Sequence, residues 1–239
     1  MKTQKLTTKK RGKRYREAAK HINSFQAYDL QEAVDLVQKT SYARFDATVN
    51  VAFRLGVDPR HADQLVRGVL ALPQGSGKTL KVAVIASEAK QAEAREAGAD
   101  VVGGEDVIAA IQAGDISCDR YIATPDMMGK VGAVARILGP KGLMPNPKLG
   151  TVTLAVGDAV KAAKSGTIEY RCDKYGIVHG IVGRVSFSPE RIIENVKAFA
   201  EALQKAKPQG ARGTYFLSLD MHATMGPAVR VVLSSALSA

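Results

Sequence analysis

Apolar residues recur along this chain with two different periods, and the switch between them divides it. Leu30, Ala33, Val34 and Val37 follow the i, i+3, i+4, i+7 spacing of a helix, and Asp29 with Glu32 predicts a capping box at its start. Val49, Val51, Phe53 and Leu55 alternate with Asn50, Ala52 and Arg54, which predicts a strand with one buried face. Asp58-Pro59 predicts a turn, and a second strand follows over residues 66–72. Then the style changes. Residues 80–86 are a continuous apolar run, the pattern of a parallel strand buried on both faces. A helix over 88–97 stops at Gly98, Val101-Val102 lead into Gly103-Gly104, and a helix covers 105–113. A short strand over 120–123 precedes a helix over 127–138, which Gly129 and Gly132 weaken. Strand and helix thus alternate three times, the signature of a parallel sheet with right-handed crossovers.

Residues 139–150 hold too much Pro and Gly for the interior of an element and must form an ordered loop or an extended arm. A short strand over 151–154 and a helix over 159–164 close this region. From Thr167 the earlier strand style returns. Residues 167–171, the turn Asp173-Lys174-Tyr175-Gly176 and residues 177–185 predict a β-hairpin. Residues 189–206 form an amphipathic helix with Pro189 in its first turn, broken by Pro208-Gln209-Gly210. Residues 214–221 and 229–233 make a last pair of strands. The economical reading is one domain inserted into another. Residues 1–74 and 167–239 form an α+β domain with a mostly antiparallel sheet made from both chain ends, the first 20 residues being a basic tail. Residues 75–166 form an inserted, Rossmann-like α/β domain with a parallel sheet. Gly75, Gly77 and Gly166 sit at the two crossings, where their conformational freedom predicts a hinge.

Charge sharpens the division. The formal net charge is +11, and residues 1–20 alone carry nine Lys or Arg and one acid. Lys9, Lys10, Arg11, Lys13, Arg14 and Arg16 lie in that tail, a run suited to binding phosphate backbones without reading sequence. An anionic membrane fits less well, because residues 2–16 carry no large apolar face beside their charge. No apolar run approaches the roughly 18 residues of a membrane helix, and no apolar segment behind the basic N-terminus suggests a secretory signal. Cys118 and Cys172 lie far apart and read as reduced, packed thiols; the four histidines are equally scattered, so no metal site is expected.

Enzymatic readings fail on pattern. Leu72-Pro73-Gln74-Gly75-Ser76-Gly77-Lys78-Thr79 ends like a phosphate-binding loop, but Leu72 stands where the first glycine belongs and the apolar strand comes after the motif instead of before it. The segment Ser87-Glu88-Ala89-Lys90 after the first insert strand lacks glycine, so no dinucleotide fingerprint exists there and no cofactor is expected. Two places suit RNA. Arg44-Phe45 precedes the first strand; the ring could stack on a base while the guanidinium holds phosphate, or the ring could belong to the core. Thr224-Met225-Gly226-Pro227 is a tight loop that could meet a ribose hydroxyl, or an ordinary connection between strands.

Several runs give the chain a resemblance. Gly12-Lys13-Arg14-Tyr15-Arg16, Asp58-Pro59-Arg60, Val66-Arg67-Gly68, Ala97-Gly98-Ala99-Asp100, Ala123-Thr124-Pro125-Asp126, Asp173-Lys174-Tyr175-Gly176 and Thr224-Met225-Gly226-Pro227 occur in order, together with Leu138-Gly139-Pro140-Lys141-Gly142-Leu143-Met144-Pro145-Asn146-Pro147-Lys148. With these the sequence resembles, over essentially its whole length, the L-one family of large-subunit ribosomal proteins of bacteria, found in the mobile stalk beside the tRNA exit site. The resemblance implies a two-domain, non-enzymatic, cytoplasmic ribosomal protein whose discontinuous domain binds the stalk region of large-subunit rRNA. It also implies a part in releasing exit-site tRNA, neighbours among other large-subunit components, a monomer off the ribosome, and repression of translation of its own operon through its mRNA. The family's RNA-contacting residues match Phe45, Asp173, Lys174, Ser218, Thr224, Met225 and Gly226, with Arg44 where many members carry Lys. Residues 219–223 (Leu-Asp-Met-His-Ala) depart from the family pattern.

Overall fold

The computed structural model describes residues 12–23 and 25–237, so Lys9, Lys10 and Arg11 of the predicted tail lie outside the described residues. In chain order the elements are α1 (Lys13–Ala19), α2 (Leu30–Lys39), β1 (Thr48–Leu55), β2 (Arg67–Ala71), β3 (Val82–Ile85), α3 (Glu88–Glu96), β4 (Val101–Gly103), α4 (Glu105–Gln112), β5 (Arg120–Ala123), α5 (Met128–Val131), α6 (Ala135–Leu138), α7 (Val156–Lys164), β6 (Thr167–Arg171), β7 (Ile177–Arg184), α8 (Pro189–Lys205), β8 (Phe216–Ala223), β9 (Val229–Val231) and α9 (Leu233–Leu237). Lys13, Arg14 and Arg16 of the expected basic tail are exposed residues of α1.

The chain forms two compact units, Met1–Val66 with Arg171–Ala239, and Arg67–Tyr170. In the first, β1 lies inside a four-stranded sheet of order β7-β1-β8-β9. Its neighbours run antiparallel to it, and β9 runs antiparallel to β8. The predicted alternation holds: Val49, Val51, Phe53 and Leu55 are buried, whereas Asn50 and Ala52 are half-buried and Arg54 is exposed. The buried face meets α2 through Leu30, Ala33, Val34 and Val37, and α8 through Ile192, Val196, Phe199 and Leu203. Phe53 packs against Phe199 with ring centroids 5.5 Å apart and against Phe216 at 5.8 Å. Asn195, fully buried on α8, donates from Nδ2 to the Val182 carbonyl at 2.7 Å, so its amide costs little to bury. Asp29 does stand at the start of α2, but its side chain makes no capping hydrogen bond; the expected box does not form.

The second unit is doubly wound. Parallel strands in the order β4-β3-β5 form its sheet. Val82, Val84, Ile122, Ala94, Val156 and Val160 make the core on the face of α3 and α7. Ala83, Ile85, Ile108, Ile111, Val131, Val134 and Leu138 make the core on the other face, where α4, α5 and α6 lie. The helix expected over 127–138 is interrupted, as its glycines suggested: a 3₁₀ turn at Gly132–Val134 separates α5 from α6. Residues 139–150 are a loop that turns back on the unit, with Leu143 and Met144 packed against that core.

Two expectations change. The strands at 66–72 and 167–171 pair with each other as β2 and β6, so they belong to the inserted unit and not to the outer sheet. The division expected at 74/75 and 166/167 therefore falls at 66/67 and 170/171, and Gly75, Gly77 and Gly166 lie inside the second unit. There Gly166, at φ +94°, comes so close to Gly75 that a Cβ on it would sit 2.8 Å from the Gly75 Cα. For the same reason β6 and β7 are not a hairpin. Only a single antiparallel bridge, Cys172 to Val178, joins the two sides of the turn before β7 leaves to pair with β1.

The tightest point of the outer core is Gly180 on β7, where a Cβ would come within 2.6 Å of the Phe199 ring. Because that ring is fully buried and cannot swing away, a Gly180→Ala protein is expected to lose about 1–3 kcal/mol of stability in urea denaturation. An unchanged midpoint would mean that the core is looser than it looks.

Candidate nucleic-acid interface

Side chains of the outer sheet that point away from the helices form a second, polar face. The register sets Asn50 opposite Ile181 and His222, Ala52 opposite His179 and Asp220, and Arg54 opposite Ile177 and Ser218. Asp220 in turn faces Arg230 across β8 and β9, with Arg230 Nε 3.6 Å from Asp220 Oδ1. Apart from the basic residues of α1, the candidate contact residues of this unit lie at one end of this sheet or the other.

One end carries Arg44, Phe45 and the Thr224–Gly226 turn. Thr40 closes α2 by donating its hydroxyl to the Leu36 carbonyl at 2.7 Å, and Ala47 is fully buried, so the intervening segment is held at both ends. Asp46 fixes it further: its carboxylate accepts from the Ser186 amide at 3.1 Å and the Ser186 hydroxyl at 2.8 Å. With Ala47 buried, Phe45 is left 56% exposed, which removes the reading of it as a core residue. Arg44 beside it is exposed and has no partner among the described residues. Thr224 comes directly after β8 and is tied to the start of β1, its amide donating to the Thr48 carbonyl at 2.9 Å and its hydroxyl to the same oxygen at 3.1 Å. The hydroxyl proton is thus committed, and the Thr224 oxygen is left to act as an acceptor.

Beyond Thr224 the chain reverses. Gly226 donates its amide to the Ala223 carbonyl at 2.8 Å, and Met225 between them has φ +68°, the only positive φ of a non-glycine residue among those described. This left-handed conformation costs an L residue of order 1–2 kcal/mol. Met225 is nevertheless 63% exposed, so its side chain gains nothing from burial that would offset the cost. Strain at an exposed residue motivates a search for function.

The other end carries Asp173, Lys174 and Ser218. Asp173 Oδ1 accepts from the amides of Tyr175 and Ile177, both at 2.8 Å, so this carboxylate shapes the turn it begins. Its other oxygen faces His179 Nε2 at 3.9 Å. Lys174 Nζ lies 5.2 Å from the ring centre of Tyr175, which is 70% exposed. Ser218 stands across from Arg54 and donates to Asp220 Oδ2 at 3.4 Å. From Thr48 to Arg54 is six residues of strand, or about 20 Å. The sheet therefore holds two groups apart at a fixed spacing, each with an exposed ring beside a cation: Phe45 with Arg44, and Tyr175 with Lys174. Sequence reasoning missed Tyr175, in the turn before β7, and also His179 and His222, whose outward alternation on β7 and β8 was the available signal.

Other chemistry finds no support in the geometry. Lys78 Nζ is bonded to Asp119 Oδ1 at 2.6 Å, and the segment before it leads into β3, not into a helix. Burial pushes the thiols of Cys118 and Cys172 above their ordinary 9.0, which disfavours the thiolate that nucleophilic or metal chemistry requires. Among the described residues no group of His, Cys, Asp and Glu could hold a metal ion, and no helix is long and apolar enough to cross a membrane.

Residues 37–227 match the model of a protein family described as the ribosomal protein L1p/L10e family. The chain belongs to that family. The matched segment runs through both units and includes Arg44, Phe45, Asp173, Lys174, Ser218 and the Thr224–Gly226 turn. Membership makes the chain a large-subunit ribosomal protein that binds rRNA, at work on the ribosome in the cytoplasm. The ribosomal L1 family is a family of structural RNA-binding proteins, not of enzymes. The mixed fold, an antiparallel sheet from both chain ends and a separate parallel sheet, is the two-domain fold of this family.

His222 gives the sheet face a pH dependence. Burial holds its imidazole below the ordinary 6.5, and neighbouring His179 lowers it further. The unfolded chain then binds this proton more readily than the folded one. The contribution of His222 to stability is complete above about pH 6.5 and shrinks as pH falls below that value. Urea midpoints at pH 7.5 and 5.5 should differ less in a His222→Gln protein than in the parent; an equal difference would show that His222 carries none of the dependence.

Proposed function

We propose that this ribosomal protein grips a folded stalk region of the large-subunit rRNA with both ends of its outer sheet. In this reading Phe45 and Tyr175 offer faces for stacking, Arg44 and Lys174 meet phosphates, and the Thr224 oxygen accepts from a ribose 2′-hydroxyl. Ser218 and Asp173 hold polar positions beside Lys174, and Met225 and Gly226 bring the turn close to the RNA. The observation that carries the proposal is the exposure of Phe45 and Met225 at one end of a sheet whose opposite face is fully packed. Apolar side chains exposed together and rimmed by polar groups mark an interaction site.

From the same stalk position the protein takes part in releasing tRNA from the exit site, beside other large-subunit components. Off the ribosome it acts as a monomer that represses translation of its own operon, using the same face for a site on its mRNA that imitates the rRNA.

Phe45→Ala should weaken binding to naked large-subunit rRNA by the value of one stacked base, about 1–3 kcal/mol, with the melting temperature unchanged. Normal affinity, or unfolding of the variant, would remove Phe45 from the interface. Charge has a separate readout. Lys13→Gln, Arg14→Gln and Arg16→Gln together should make the dependence of binding on salt shallower, by up to about 0.7–0.9 in log–log slope for each phosphate that is no longer neutralised. A slope identical to that of the parent would mean that α1 touches no RNA.

A further inference from the structure

Between α2 and β1 stands Tyr42, half-buried, and its hydroxyl donates to the Met225 carbonyl at 2.6 Å. No candidate site included it. The bond joins segments 183 residues apart in sequence, and it reaches the one described non-glycine residue held at positive φ. Its position is not accidental. Thr40 and Ala47 anchor the segment on which Tyr42 sits, so the phenol comes from a fixed base.

Three other hydrogen bonds hold the turn. Thr224 is bonded to Thr48 through its amide and its hydroxyl, and the Gly226 amide closes on Ala223. The last of these acts on the peptide between Met225 and Gly226 through its amide, and the orientation of that peptide decides whether Met225 stays left-handed. The Tyr42 bond holds the same peptide at its carbonyl, and it does so from outside the turn. Relaxing Met225 to a negative φ would swing its carbonyl away from the phenol and re-aim both the Met225 side chain and the backbone at Gly226.

We propose that Tyr42 is a positioning residue of the RNA interface: by holding the Met225 carbonyl it keeps the Thr224–Gly226 turn in the one conformation that presents Thr224, Met225 and Gly226 together. This rests on the reading of that turn as part of the rRNA site. Tyr42 need not touch RNA. It removes in advance the disorder that binding would otherwise have to remove, and the benefit appears as affinity.

The test uses the full chain and naked large-subunit rRNA, with dissociation constants measured at low salt. Tyr42→Phe keeps the ring and loses only the hydroxyl. It should weaken binding about three- to tenfold, the range of one net hydrogen bond, with the melting temperature unchanged. Met225→Gly supplies the readout that a merely structural role would not move, because glycine holds a positive φ without strain. In a Met225→Gly background the same Tyr42→Phe change should cost less than twofold. An equal cost in both backgrounds would overturn the proposal, as would a Tyr42→Phe protein with normal affinity, or one whose weaker binding comes with a lower melting temperature. Thr224→Val separates the two levels. If it binds poorly while Tyr42→Phe binds normally, the clamp alone is wrong. If both bind normally, the turn is not part of the RNA site.

Discussion

The outer unit depends on one strand. β1 is hydrogen-bonded on both sides, to β7 and to β8, and those partners come from the far end of the chain. Its alternation commits Val49, Val51, Phe53 and Leu55 to the core, and by the period of two it must then commit Asn50, Ala52 and Arg54 to the opposite face. A slip of one residue would bury Arg54 and expose Phe53, so burial itself fixes the register. Everything at the interface inherits that register. Phe45 and the Thr224 turn meet at one end because the Thr48 carbonyl accepts from Thr224, just past β8, and Lys174 lies at the other because Leu55 bonds to Gly176.

This arrangement suits recognition of a folded RNA better than of a sequence. Two exposed rings, each beside a cation, stand at the ends of a stiff sheet about 20 Å apart by strand geometry. A flexible single strand could meet either group alone, whereas meeting both requires a partner with its own fixed spacing. Membership of the ribosomal L1 family and the binding of rRNA are consistent with that demand. The inserted unit obeys different physics. Its central strand β3 is buried on both faces, Asp119 and Asp100 are paired locally with Lys78 and Lys164, and Leu143 and Met144 pack its glycine-rich loop down.

Much of this was legible in the residues. The period-two pattern of β1, the continuous run of β3 and the i, i+3, i+4, i+7 stripe of α2 each imply one element, and each forms. What was not legible is pairing between distant segments. Residues 66–72 and 167–171 read correctly as strands, but nothing local says that they pair with each other, and so the division between the units was misplaced. The turn at Asp173–Gly176 has hairpin chemistry, and its carboxylate does organise the turn, yet its two flanking strands go to different sheets. At the site, family resemblance supplied Thr224 and Phe45, and only coordinates could supply Tyr42, because a hydroxyl 183 positions away leaves no trace in spacing.

The central claim is that both ends of the polar sheet face lie on one RNA at the same time. Site-directed photocross-linking tests it most directly, with a photoreactive phenylalanine placed at Phe45 in one protein and at Tyr175 in another, each bound to naked large-subunit rRNA. Cross-links from both positions should map to a single folded segment, at nucleotides separated by no more than the width of the sheet. Cross-links from one position only, or to unrelated regions, would contradict the account.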